Sequence, residues 1–254
     1  MEAIQPGAAG KPQAMRLQAF LSDAGVASRR KSAELIEQGL VTVNGEVVKA
    51  PGHKVDPVAD MIAFKGKRVE PEACEYYAFY KPMNVITTAA DEAGRKKVTD
   101  FFTKVKARVF PVGRLDRNST GLLIMTNDGM LANALMHPSK GVEKRYAVMT
   151  DGPLGPEQLM KFQKGLRIEG QTTSTCQIVD HGPVDKRGFA YEVVLHEGKN
   201  RQIRKMMEIL GRHCREIHRF EYGPLKLGRM KPGEYRALTV DEVRILKECV
   251  GGAA

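Results

Sequence analysis

No run of about 18 consecutive apolar residues occurs in the chain, so a membrane-spanning helix is excluded. The four cysteines, Cys74, Cys176, Cys214 and Cys249, are scattered, and no two stand in C-x-x-C spacing. That removes the usual sequence basis for a zinc or redox site, so neither a metal nor a cofactor is expected. Scattered thiols suit a reducing cytosol. Residues 1–13 are rich in Ala, Gly and Pro and lack the apolar stretch of a secretory signal. They are expected to form a disordered tail on a cytoplasmic protein. No internal repeat is visible.

What is present is positive charge. The chain of 254 residues carries a formal net charge of +10. A polyanionic partner follows, and nucleic acid is a commoner one than an acidic membrane surface. The charge is uneven. Between Lys199 and Lys231 stand ten Lys or Arg against Glu208, Glu216 and Glu221, which is +7 of the +10. A second basic stretch runs from Arg95 to Arg117. One such run is ordinarily a solvated surface; two that flank apolar-bounded motifs point to RNA. A hydrophobic content of 42% suffices for one large core and a small accessory module.

Residues 14–73 read as the small module, of α/β type. Leu17, Phe20 and Leu21 mark the apolar face of a first helix, which Gly25 ends. Ser28 is the expected N-cap of a second helix, with Leu35 and Ile36 inward and Gly39 beyond its end. Asn44-Gly45 between Val41-Thr42-Val43 and Val47-Val48 signals a hairpin, and a further strand is expected over 61–64. Arg29, Arg30 and Lys31 fill the first turn of the second helix, against the helix dipole. They are either tolerated surface charge or a phosphate grip built with the free N–H groups.

A polar stretch, 70–75, reads as a linker. Residues 74–250 then mix strands with few long helices. Strands are expected at Tyr77-Ala78-Phe79-Tyr80, over 121–126, at Tyr146-Ala147-Val148-Met149 and over 191–195. A short helix is expected over 130–136, stopped by His137-Pro138. The expected class is α+β, on a mixed and mainly antiparallel sheet.

Three residues attract attention as chemistry. Asp116 lies in a polar loop before a buried strand, where it is either an ion-pair partner of Arg114 or Arg117 or a presented acid. Arg204 lies on a helix expected to be capped by Asn200, with Ile203, Met206, Met207 and Leu210 as its apolar seam. Its guanidinium either snorkels over the core or reaches along the core edge to a carboxylate. Arg201 and Lys205 point away from the seam, as solvated charge or phosphate contacts. Tyr146 is either half-buried core or a ring for a base to stack on.

Two strings carry a resemblance. The sequence from Met15 through Asn44-Gly45 to about residue 62 resembles the small RNA-binding module first known from a ribosomal small-subunit protein. Gly113-Arg114-Leu115-Asp116-Arg117-Asn118-Ser119-Thr120-Gly121, running on to Asn127-Asp128-Gly129, resembles the signature of the RsuA/RluB family of ribosomal RNA pseudouridine synthases. Lys81-Pro82, Glu143-Lys144-Arg145-Tyr146 and Lys199-Asn200-Arg201-Gln202-Ile203-Arg204-Lys205-Met206 are similar to its other motifs. The resemblance implies a monomeric enzyme that isomerises uridine in ribosomal RNA, with the large-subunit RNA favoured by residues 219–238. It implies that Asp116 is the nucleophile, that Arg204 pairs with it and keeps it ionised, and that Tyr146 stacks on the target base. Arg29, Arg30, Lys31, Arg114, Lys144, Lys199, Asn200, Arg201 and Lys205 are then expected to bind RNA. The alternatives are small-subunit RNA as substrate, or a catalytically silent ribosome-assembly factor.

Overall fold

The computed structural model describes residues 14–88, 91 and 93–251. The expected tail, 1–13, lies outside the described residues. The chain divides into two compact units between Cys74 and Glu75.

The first unit runs β1 (Met15–Arg16), α1 (Leu17–Asp23), α2 (Arg29–Glu37), β2 (Val41–Val43), β3 (Glu46–Val47), β4 (Lys54–Val55), β5 (Ile62–Phe64) and β6 (Lys67–Arg68). Leu17, Phe20 and Leu21 turn inward at helical spacing and meet Ile36, Val41, Val43, Val55 and Ile62. The Ser28 hydroxyl accepts from the Lys31 N–H at 3.3 Å, so the expected cap of α2 forms. Leu35 is only half-buried, and Ile36 is the inward residue of that turn. Asn44 and Gly45 adopt φ of 52° and 89°, which joins β2 to β3 as a tight hairpin. Four strands pair antiparallel in the order β3-β2-β5-β6. The stretch expected as a linker is partly tied down, since the Glu72 N–H donates to the Asp23 carbonyl at 3.0 Å.

The second unit opens with β7 (Tyr76–Lys81), β8 (Phe110–Val112), β9 (Thr120–Thr126), α3 (Gly129–Met136) and β10 (Lys144–Thr150). It continues with α4 (Pro156–Lys164), β11 (Arg167–Ile168), β12 (Gln171–Thr172), β13 (Gln177–Val184) and β14 (Gly188–Leu195). Then follow α5 (Gln202–Ile209), β15 (Cys214–Tyr222), β16 (Leu225–Lys226), β17 (Tyr235–Ala237) and α6 (Val240–Cys249). The main sheet has the order β13-β14-β10-β15-β9-β7-β17, with β8 on β9 and β16 on β15. Every pairing in it is antiparallel except β15 with β9. The expected α+β class on a mainly antiparallel sheet is the one observed.

Alternation along β9 explains why the sheet is covered on both faces. Leu122 and Ile124 join a cluster with Leu131, Leu135 and Leu246, while Leu123 and Met125 join one with Phe79, Val98 and Phe102. The parallel seam is short, with His218 opposite Thr120 and Arg219 opposite Gly121. Gly121 has φ +114°, and a Cβ there would stand 2.1 Å from the Arg219 carbonyl oxygen. Only glycine permits that approach. The seam brings the residues before β9 beside those of β15, and the candidate site lies there.

Candidate active site

Asp116 sits in the loop 113–119 between β8 and β9. The loop is fastened at several points. Thr87 Oγ1 donates to the Leu115 carbonyl at 2.7 Å and accepts from the Leu115 N–H at 3.2 Å. The Asn84 N–H donates to the Arg117 carbonyl at 2.9 Å, and the Ser119 N–H to that of Asp116 at 3.0 Å. Two cations complete the fastening. Lys81 Nζ donates to the Ser119 carbonyl at 2.8 Å, and Arg204 Nη2 to that of Asn118 at 2.8 Å. The carboxylate is therefore displayed by a braced loop, with its side chain 29% exposed.

Arg204 does not snorkel. It is buried at 8% exposure, and its second terminal nitrogen donates to the Cys214 carbonyl at 2.9 Å. With both ends of the fork on backbone carbonyls, the enclosed Nε has no hydrogen-bond partner and lies 3.7 Å from Asp116 Oδ2. That is ion-pair distance without a hydrogen bond. Arg201 Nη1 lies 3.9 Å from the same oxygen, on a side chain 45% exposed. Asp116 is thus flanked by Arg201 and Arg204 rather than by Arg114 or Arg117.

The expected cap on α5 is corrected. Asn200 does not cap the helix; the N-cap is Arg201, in left-handed conformation at φ 51°, and no side chain caps the first turn. The Gln202 N–H is satisfied by the Lys199 carbonyl at 3.2 Å, and Gln202 Oε1 accepts from the Lys199 N–H at 3.0 Å. Asn200 Oδ1 instead accepts from Lys205 Nζ at 3.2 Å. The tight turn at Arg201 leaves the Asn200 side chain no route to the first-turn donors. The seam of Ile203, Met206, Met207 and Leu210 is buried as expected.

Asp116 opens on a cleft of ≈ 710 Å³. Its apolar lining includes Leu115, Tyr146, Leu195, Ile203 and Ile217, and Arg114, Lys199, Asn200 and Arg201 stand on it as well. Tyr146, on β10, is 8% exposed and reaches the cleft from its wall. Lys144 also lines the cleft, yet it is buried, and its Nζ donates to the Val142 carbonyl at 2.9 Å. Burial pushes Lys144 down to about 8, and the neighbouring Arg219 adds to the shift. Burial likewise pushes Lys81 down to about 8, against the attraction of Asp116 and with the repulsion of Arg219. Of the remaining cations, Lys205 Nζ meets Glu169 at 2.8 Å, and Lys199 Nζ donates to the Thr172 carbonyl at 2.6 Å. In the first unit Arg29, Arg30 and Lys31 are all exposed, and Lys31 pairs with Glu34 at 2.7 Å.

Lys81, Arg219, Tyr222 and Thr87 escaped the reading of the sequence as site residues. Period-two parity carried a signal for the cations. Lys81 shares parity with buried Phe79, Lys144 with buried Tyr146 and Val148, and Arg219 with buried Ile217. A cation at an inward strand position is the trace of a site.

A compact first unit with an exposed basic helix start, and a sheet unit whose cleft sets the Asp116 carboxylate among cations, fit one class: an enzyme that acts on RNA. Comparison with known proteins narrows it. Residues 75–209 match the RNA pseudouridylate synthase family, and residues 15–62 match the S4 domain. The chain belongs to the RNA pseudouridylate synthase family. It is 42% identical over 233 residues to the ribosomal large subunit pseudouridine synthase B of Bacillus subtilis, covering 91% of this chain and 95% of that one. It is 34% identical over 232 residues to the dual-specificity RNA pseudouridine synthase RluF of Escherichia coli, covering 90% and 77%. A crystal structure of a pseudouridylate synthase superposes with a TM-score of 0.65 at 25% identity, covering 91% of this chain and 99% of that one. Among the described residues no helix is long and apolar enough to cross a membrane.

Proposed function

We propose that this protein isomerises a uridine of ribosomal RNA to pseudouridine, that the RNA is that of the large subunit, and that Asp116 is the nucleophile. The observation that carries the reading is the juxtaposition of Asp116 with Arg204 Nε at 3.7 Å and Arg201 Nη1 at 3.9 Å, at a cleft with room for a nucleotide. The large-subunit preference rests on the named activity of the relative that is 42% identical. The protein acts in the cytoplasm as a single chain.

In this mechanism the target uridine leaves its stack and enters the cleft. Tyr146 holds the base by its ring. Asp116 attacks, the glycosidic N1–C1′ bond breaks, the uracil turns, a C5–C1′ bond forms, and the bond to the Asp116 carboxylate breaks to free the enzyme. The C5 proton is lost to water and N1 gains one, so the net change is an isomerisation. Arg204 keeps a positive charge beside the carboxylate, and its two backbone bonds hold that charge still. Arg201, Arg114, Lys199, Asn200 and Lys205 contact the phosphate path at the rim, and Arg29, Arg30 and Lys31 hold a further part of the RNA.

Tritium release from C5-labelled uridine in large-subunit ribosomal RNA tests the reading. The wild-type chain releases tritium and Asp116→Asn does not, while both bind the RNA. Binding without release by the wild type would favour a silent assembly factor. Release only from small-subunit RNA would overturn the choice of substrate. Comparing pseudouridine maps from cells with and without the protein identifies the nucleotide.

A further inference from the structure

Lys144 and Arg219 pose an electrostatic question that the proposed mechanism leaves open. Lys144 is 7% exposed and Arg219 is 2% exposed. Among the described residues, Lys144 bonds only the Val142 carbonyl, and Arg219 bonds only the Leu122 carbonyl, through Nε at 2.8 Å. The Arg219 Nη2 atom is enclosed and has no partner. Neither cation pairs with an acid among the described residues. Their other neighbours are rings. Lys144 Nζ lies 5.2 Å from the Tyr222 centroid, and the Arg219 guanidinium lies 4.9 Å from Tyr222 and 6.0 Å from Tyr146.

Two like charges buried side by side without an acid are costly. Contact with ring faces returns on the order of 1–2 kcal/mol, less than burial takes. Apolar residues of similar volume would serve packing better. The pair also lines the cleft that Asp116 and Tyr146 line. An unneutralised positive wall in a substrate cleft is suited to negative charge that arrives with the substrate or develops on it.

We propose that Lys144 and Arg219 receive the carbonyl oxygens of the target pyrimidine and hold the negative charge that reaches them during isomerisation. This rests on the reading of the cleft as a uridine site. Both routes open to an attacking carboxylate require such a receptor. Attack at C1′ forms an O–C1′ bond as C1′–N1 breaks, and the electron pair remains on uracil as an anion shared by N1, O2 and O4. Attack at C6 forms an O–C6 bond, and the C5–C6 π pair moves through C4 onto O4 as an enolate. In either case the charge collects at the ring's oxygen edge, and two preorganised cations in a water-poor wall stabilise it more than they stabilise the neutral base. Tyr146 holds the face of the ring; Lys144 and Arg219 hold its edge.

Lys144→Met tests this with the full chain, in single turnover on a large-subunit ribosomal RNA transcript carrying C5-tritiated uridine. The rate falls on the order of 100-fold. RNA affinity is kept, and the melting temperature does not fall, because the variant removes a buried charge that has no acid partner. An unchanged rate, or a slower rate accompanied by a lower melting temperature, would overturn the proposal. A second measurement uses transcripts made with 4-thiouridine or 2-thiouridine, whose sulfur is a poor acceptor, and follows isomerised nucleoside by chromatography. The thio substitution that removes the contact slows the wild type but costs Lys144→Met nothing further; penalties that simply multiply for both thio substrates overturn the contact. Arg219→Lys, which keeps the charge but not the fork, retains more rate than Arg219→Met where both fold, and the reverse order counts against Arg219. Absence of tritium release from the wild type would sink the uridine reading itself, an outcome distinct from all of these.

Discussion

The two units carry their cations in opposite ways. In the first, Arg29, Arg30 and Lys31 stand exposed on the opening turn of α2, and Lys31 pairs with the surface acid Glu34. In the second, Lys81, Lys144, Arg204 and Arg219 are buried, and each donates to at least one backbone carbonyl. Exposed charge acts at a distance, is screened by salt and tolerates exchange. Buried charge acts on its neighbours, is shielded from salt and depends on geometry. On the proposed reading, the first unit holds a polyanion along its backbone, and the second sets its cations around Asp116.

The contrast yields predictions of decreasing size. Asp116→Asn reduces pseudouridine formation by roughly 10⁴-fold or more, with RNA affinity kept, as measured by tritium release beside filter binding. Residual activity near the wild-type level would remove Asp116 from the role of nucleophile. Arg204→Lys keeps a charge but loses the fork that bonds Cys214 and Asn118; activity falls on the order of 100-fold and stability by about 2 kcal/mol, read by single turnover and by denaturant melts. A harmless Arg204→Lys would mean that buried cations here need charge alone.

Replacing Arg29, Arg30 and Lys31 together by Ala weakens RNA binding about tenfold at low salt and lowers the slope of log affinity against log salt by about 2–3. The single-turnover rate at saturation is unchanged. A change in that rate would erase the distinction between the units.

The buried lysines also set a pH dependence. Burial holds Lys81 and Lys144 at about 8 in the folded chain, against the ordinary lysine value of 10.5. Between those values the unfolded chain binds more protons than the native one, so stability rises with pH through the window, by about 1 kcal/mol per pH unit for each lysine. Below about pH 8 that contribution is absent. Denaturant melts at pH 7.5 and 9.5 should show a smaller rise in Lys144→Met than in the wild type. The smallest effect belongs to the first unit, where Ser28→Ala removes the cap of α2 and costs about 1 kcal/mol of that unit's stability, with the cleft chemistry unaltered.

The sequence by itself determined what is local. Leu17, Phe20 and Leu21 specify the face of α1, Ser28 caps α2, Asn44-Gly45 turns the hairpin, and the loop before β9 carries an isolated acid. Each depends on residues a few positions apart, whose spacing or backbone preference is written directly in the chain. Period-two parity also held a readable trace of the inward cations, at Lys81, Lys144 and Arg219. The tertiary structure alone decided what those residues meet. Asp116 lies beside Arg201 and Arg204, 85 and 88 residues onward, because β9 and β15 pair in parallel at Gly121. Asn200 fails as a cap because Arg201 turns left-handed, which propensity does not foresee. The reason is the same in both cases: pairing and burial at a seam of two strands depend on many distant contacts at once, and they override the preference of any single residue.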